Sequence, residues 1–231
     1  MATYDAAGSA GSTQPQESVT PTNKSPFEAY DEKIAAADLN KYRTKGPPPW
    51  ARTLIDAIKA EGVDGATLLD IGGGIGVIQH ELLASGAARA TNVEASSAYL
   101  SAARGESERR GLVDRVTYHH GDFVDLAESI QSADVVTLDR VLNVYPDWER
   151  LASLSAERAT RLYGVVIPRD TLFVKVVIAG INLAQRLGRK RVRAAIVPIE
   201  ALERVLRARG LHRCFSENVG PAWLVLLYRR G

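Results

Sequence analysis

Leu68-Leu69-Asp70-Ile71-Gly72-Gly73-Gly74-Ile75-Gly76 decides how this chain folds. The apolar run 67–71 has the length of a buried strand. It breaks at a glycine turn, 72–76, and passes into an apolar-periodic stretch, 77–85, that predicts a helix. Glycine adopts positive φ readily and puts no Cβ in the path of a ligand. The helix that follows presents backbone N–H groups without intrahelical partners. Strand, glycine turn and helix in that order begin an open α/β sheet, and such sheets bind ligands at the carboxyl ends of their strands.

Working outward, the alternation continues. Strands are predicted at 90–94, 116–119, 133–138 and 163–167. Helices are predicted at 96–110 and 148–162, with a short helix or turn at 126–130. Alternating strands and helices build a parallel sheet covered by helices on both faces, the Rossmann-like doubly wound α/β class with three α/β/α layers. The tail differs: helices at 171–187 and 199–209 precede two closely spaced strands, 213–218 and 222–228, joined by Val219-Gly220-Pro221. Such a pair is a hairpin, so the last strand is expected to run antiparallel.

Upstream, residues 1–25 are rich in Ala, Gly, Ser, Thr, Gln and Pro and read as a disordered tail. Residues 26–49 read as an N-terminal helical lid over the ligand mouth, with Tyr30 and Tyr42 as the residues to watch. The alternative is a helix merely packed on the sheet edge. Gly46-Pro47-Pro48-Pro49 stops that helix, a second one follows at 50–61, and 50–231 form the main domain. The apolar helix at 171–187 is read mostly as core, with part of it as pocket floor or dimer contact.

Net charge is +2, too mild to demand nucleic acid or an acidic membrane. The one basic run, Arg186, Arg189, Lys190, Arg191 and Arg193, is a solvated stretch or an anion contact. Cys214 is the only cysteine, which removes disulfides and cysteine-based metal sites. It is expected to be a small packing residue. Neither a secretory signal nor a run of transmembrane length is visible, so a cytoplasmic protein without stable membrane insertion is expected.

Three acids fall at the ends of successive strands. Asp70 precedes Gly72, Gly73, Gly74 and Gly76. An acid beside a pyrophosphate would repel it; an acid beside a sulfonium amino acid with its ammonium attracts it. The spacing G-x-G-x-G also departs from the dinucleotide fingerprint. S-adenosylmethionine (SAM) is therefore favoured over a nicotinamide dinucleotide. Glu94, followed by Ala95, can accept both hydroxyls of a ribose, or is a surface acid. Asp122 can accept an adenine amine with Phe123 flanking the ring, or caps the next turn.

These residues resemble the class I SAM-dependent methyltransferase family. Leu69 to Gly76 resembles its motif I, Glu94 its ribose-binding acid, Gly121-Asp122-Phe123 its adenine-contacting motif, and Asp134 to Asp139 its fourth-strand motif. The resemblance implies a seven-stranded sheet with the last strand antiparallel, SAM as cofactor and S-adenosylhomocysteine (SAH) as product. The second half is similar in layout to magnesium-protoporphyrin IX O-methyltransferases, through Val141 to Pro146, Ile167 to Thr171 and Ile199 to Glu203. It departs from them at Val144 and near Val197, where those enzymes have histidines. The likeness therefore concerns architecture.

Methyl transfer from a sulfonium needs alignment above all, and a base when the acceptor is a hydroxyl. The candidates are Asp139, Tyr145 and Arg169. Asp139 orients or deprotonates an acceptor, lies near the cofactor, or pairs with Arg140. Tyr145 contacts the acceptor or fills a wall. Arg169 clamps a carboxylate or forms a salt bridge. Arg140 joins Tyr30 and Tyr42 as a substrate or lid residue, and no metal ligands are expected. The expected function is methylation of a small apolar or aromatic molecule, most simply at oxygen. A SAM-binding regulator or assembly partner without transferase activity is the alternative. The expected partners are a small-molecule acceptor and no nucleic acid, in a monomer or homodimer.

Overall fold

A computed structural model describes residues 31–188 and 193–231. The expected tail at 1–25, Tyr30 and most of the basic run lie outside the described residues.

The first described helix is α1 (Glu32–Lys45). The Asp31 side chain caps it by accepting from Ile34 N–H at 2.9 Å, and Gly46 closes it at φ 74°. Helix α2 (Pro49–Ala60) starts with proline in its first turn, where a missing N–H costs nothing. Then come β1 (Thr67–Ile71), α3 (Val77–Ala84), β2 (Arg89–Glu94), α4 (Ser97–Arg109), β3 (Val116–His120), the single-turn α5 (Phe123–Leu126), β4 (Ala133–Asp139), α6 (Trp148–Arg158), β5 (Ala159–Pro168), α7 (Leu172–Leu187), α8 (Ile199–Ala208), β6 (Leu211–Val219) and β7 (Trp223–Arg230).

The seven strands form one sheet in the order β3-β2-β1-β4-β5-β7-β6. Strands β1 to β5 pair in parallel, while β7 runs antiparallel to both β5 and β6. The last strand is antiparallel, as expected. It does not lie at the edge: it slots between β5 and β6 and leaves β6 outermost. The helix expected over 148–162 stops at Arg158, because Ala159 to Leu162 pair with β4 and Leu162 also pairs with Arg229 of β7. Two ladders outweigh the local helical pattern. The turn expected at 126–130 begins earlier, at Phe123, once Asp122 caps it.

Side chains alternate between the two faces of the sheet and build two cores. Leu69, Val136, Leu138, Tyr163 and Leu226 pack toward α6 and α8. Leu68, Val135, Leu162 and Leu227 pack toward α2 and α3. Gly164 of β5 lets α2 approach closely: a Cβ there would stand 2.7 Å from Leu54 Cδ1. Gly164→Ala should cost about 1–3 kcal/mol of stability by overpacking, read from the urea midpoint at unchanged m value.

Helix α7 corrects the expectation of a core helix. Only Val174 is buried; Leu172, Phe173, Val176, Val177, Ile181, Leu183 and Leu187 are all exposed. Its sequence is apolar, but the helix leaves the end of β5 and turns one face alone to the body. Cys214 is likewise exposed on the outermost strand, its thiol facing Leu227 O at 3.4 Å, instead of packing inside.

Helix α1 is fastened to α3 and α4. Glu106, fully buried, binds Arg43, Arg109 and Arg110, and these three cations hold its carboxyl well below the usual range. Tyr42 is buried, donates to Glu81 at 2.6 Å and lies under the Arg110 guanidinium.

Candidate functional site

The carboxyl ends of β1, β2, β3 and β4 open into one cavity of about 760 Å³, roofed by α1 and the start of α2. Its volume is ordinary for a site that encloses a small molecule.

On one side the glycine turn forms the wall. Gly72, Gly74 and Gly76 have φ of 63°, 54° and 81°, which glycine alone adopts without strain. Beneath them lies Asp70, 2% exposed. Its Oδ1 accepts from Thr137 Oγ1 at 2.7 Å, while its Oδ2 is buried without a partner. Burial pushes its pKa up to about 7 against the Thr137 hydrogen bond, with Asp139 and Glu94 adding to the rise. An unpartnered buried carboxylate oxygen is costly and calls for a cation or a donor.

Glu94 ends β2. Its Oε2 accepts from Gly74 N–H at 2.9 Å and its Oε1 from Ser96 N–H at 2.7 Å, so it tethers the turn to the next helix. Burial raises its pKa, opposed by these backbone donors. With the Ala95 backbone also donating, a carboxylate's roughly four acceptor positions leave a lone pair for a ribose hydroxyl. Asp122 caps α5 through Val124 N–H at 2.9 Å and accepts from Tyr145 Oη at 3.0 Å. Phe123 is buried beside it, and Ala95 lines the cavity.

The opposite side is aromatic. Trp50 Nε1 donates to Asp139 Oδ2 at 3.3 Å, and Arg140 Nε donates to Asp139 Oδ1 at 3.2 Å. The Arg140 guanidinium lies 4.7 Å from the Trp50 ring and 5.6 Å from the Trp223 ring. Arg140 has φ of 60°, the sole positive value outside glycine among the described residues. Backbone strain of this kind gathers where a site over-determines it. Burial raises the Asp139 pKa, while Arg140 and Trp50 pull it down.

This layout agrees with sequence comparison, since residues 68–161 match a family model described as a methyltransferase domain. Residues 68–161 therefore carry a methyltransferase domain. SAM is the cofactor that the sequence pattern implies for it. No curated protein matches the chain in sequence. Among solved structures, the chain is similar to magnesium protoporphyrin IX methyltransferase from Synechocystis PCC 6803 with bound SAH, at 17% identity and TM-score 0.65, over 90% of this chain and 100% of that one. It is also similar to an O-methyltransferase family protein from Burkholderia thailandensis, at 18% identity and TM-score 0.67, over 88% of this chain and 61% of that one. A 4+2 cyclase is similar too, at 18% identity and TM-score 0.62, over 91% of this chain and 97% of that one. At these identities the likeness is one of fold.

The residues of the methyltransferase domain fit the cofactor. The lone Asp70 Oδ2 suits an ammonium, the remaining acceptor capacity of Glu94 suits a ribose hydroxyl, and the bare glycines leave room for the chain between them. Of the residues singled out from sequence, Asp70, Gly72, Gly73, Gly74, Glu94, Ala95, Asp122, Phe123, Asp139, Arg140, Tyr145 and Tyr42 all line this cavity. Gly76, the last residue of the turn, does not line the cavity. Arg169 is not brought to the cavity; its guanidinium donates to Gly220 O at 3.0 Å and ties β5 to the β6–β7 turn. Tyr42 spends its hydroxyl on Glu81. His120 is exposed, with Nε2 3.2 Å from Ala95 O.

Sequence reasoning missed Trp50, Trp223 and a buried polar cluster. Trp223 reaches the site because β7 pairs it with Pro168 at the end of β5, a register invisible to local pattern. In the cluster, Asn92 Nδ2 donates to Gln79 Oε1 at 2.8 Å, and His80 Nε2 meets Ser107 Oγ at 2.8 Å. Burial lowers the His80 pKa to about 4. An Asn inside an apolar strand and a Gln-His pair inside an apolar helix were its signal.

Proposed function

We propose that the chain transfers a methyl group from SAM to a small aromatic or apolar acceptor, at oxygen. The observation that carries this reading is the cavity's division: an unpartnered buried acid under a glycine turn on one side, and a tryptophan pair beside the Asp139–Arg140 ion pair on the other. The first half suits an aminoacyl nucleoside; the second suits a flat acceptor whose hydroxyl meets Asp139.

When bound, SAM supplies a methyl group activated on a sulfonium. Asp70 holds the ammonium and Glu94 the ribose, which fixes the cofactor end of the reaction line. Trp50 and Trp223 hold an acceptor ring by stacking and exclude water. Asp139 accepts the acceptor's hydroxyl proton as the oxygen takes the methyl carbon, and the electron pair of the broken C–S bond stays on sulfur. Arg140 and Trp50 position that carboxylate. Tyr145 orients Asp122 toward the adenine.

The test is SAH formation with phenolic acceptors, followed as turnover over a panel of one- and two-ring phenols. Trp50→Ala should raise the acceptor KM by about tenfold or more, the worth of one aromatic contact and one lost hydrogen bond to Asp139, with SAM affinity nearly unchanged. Absence of SAH with every acceptor, alongside tight SAM binding, would favour a second reading: a SAM-binding protein that is not a transferase. The engagement of Asp139 by both Trp50 and Arg140 speaks for that reading, and the fold is shared by a protein described as a cyclase.

A further inference from the structure

Helix α7 is apolar on the outside. At about 100° per residue, Leu172, Leu183, Val176, Leu187, Phe173, Val177 and Ile181 fall in that angular order over roughly half its circumference. All seven are exposed, with Leu172 at 79%, Val176 at 63% and Leu183 at 60%. The face toward the body is the narrow one: Val174 is buried, Ile178 is half-buried, and Asn182 makes two hydrogen bonds to the Ala194 backbone. A helix ordinarily turns such a stripe inward. A contiguous apolar face of this kind marks an interaction surface.

Charge selects the occupant. From Thr171 to Ile199 the sequence holds six cationic side chains and no carboxylate. On α7 itself, Lys175 and Arg186 lie along one margin of the apolar face, three turns apart, and Lys175 pairs with Asp170 at 2.6 Å. A second copy of α7 would bring the same cations into the seam, where like charges repel. An apolar layer with an anionic surface complements both features at once. No helix among the described residues is long and apolar enough to cross a membrane.

We infer that α7 is a peripheral membrane-docking helix that lies in the headgroup region of an anionic bilayer, its leucines and Phe173 among the acyl chains and its cations at the phosphates. The helix leaves the end of β5 at the carboxyl edge of the sheet, so docking sets the cavity's side of the molecule toward the lipid.

Sedimentation of the full chain with vesicles tests this. With phosphatidylcholine containing about a third phosphatidylglycerol, the chain should pellet at least about tenfold more strongly than with phosphatidylcholine alone, and added salt should release it. The double variant Val176→Asp, Leu183→Asp should lose vesicle binding by at least about tenfold. Both side chains are exposed, so SAM affinity and thermal midpoint should stay at parent values, which separates lost docking from lost folding. Arg186→Glu should weaken binding to the anionic vesicles alone. Failure to pellet with either vesicle overturns the inference. So does binding that the double variant leaves intact. A concentration-dependent dimer that the double variant abolishes, without vesicle binding by the parent, would give the face to a second copy instead.

Discussion

Asp70→Asn should weaken SAM binding by at least about two orders of magnitude, read by calorimetric titration, and leave the ligand-free protein folded. The asymmetry follows from the state of this carboxyl. It is buried, one oxygen is unpartnered, and burial has raised its pKa from 3.8 to about 7. Pairing with an ammonium offsets that burial, and losing one partner of a buried ion pair costs about 3–5 kcal/mol. Asparagine keeps the shape and can still accept from Thr137.

The pH dependence has a definite sign. Below pH about 7 the ligand-free protein holds Asp70 protonated, and an ammonium must displace that proton. SAM affinity should therefore rise with pH, by up to about tenfold per unit, and level off above pH 7. The variant should lose this slope. Stability runs the other way. Between 3.8 and about 7 the folded, ligand-free state binds more protons at this site than the unfolded chain, so this contribution falls as pH rises through the window. The variant's thermal midpoint should gain on the parent's across the same interval. A flat affinity profile in the parent would remove Asp70 from the ammonium.

Gly73→Ala should have a comparable effect by a different route. A Cβ there would run into Asn92 Nδ2 and stand 3.0 Å from both Asn92 Cγ and Asp70 Oδ2. Asn92 cannot retreat freely, since it is fully buried and donates to Gln79. Either that bond breaks or the turn lifts off Asp70 and Glu94. SAM affinity should fall by about a hundredfold or more, and the thermal midpoint by roughly 5–10 °C for a loss of 2–3 kcal/mol. Gly105→Ala, on an exposed stretch of α4 where a Cβ meets nothing, serves as the control. Unchanged affinity in Gly73→Ala would mean that the cofactor does not depend on this turn.

The cofactor half of the cavity was legible in the sequence because it is local. Asp70 and the glycines share one turn, and Glu94 and Asp122 each end the strand on which they sit, so counting strands puts them on one edge. Asp122 shows the limit of such reading. Its two readings, cap and cavity acid, both describe it, since one carboxylate accepts from Val124 and from Tyr145. The tryptophan side was less legible. Trp50 and Trp223 are 173 positions apart in the sequence and meet with ring centroids 5.4 Å apart. Only the placement of β7 beside β5 brings them together. Arg169 failed for the same reason: its neighbour is Gly220, from a turn that no local pattern ties to it. In α7, composition separates apolar from polar but does not say whether anything covers the apolar side.

The order of strands carries a consequence for how the chain is made. Because β7 sits between β5 and β6, the ribosome releases β6 before the strand it must zip to exists. Until Trp223–Arg230 emerge, two backbone edges stand open, and the far wall of the cavity lacks its second indole. The nascent chain can assemble the glycine-turn half of the cavity early, but the tryptophan half closes only with the last strand.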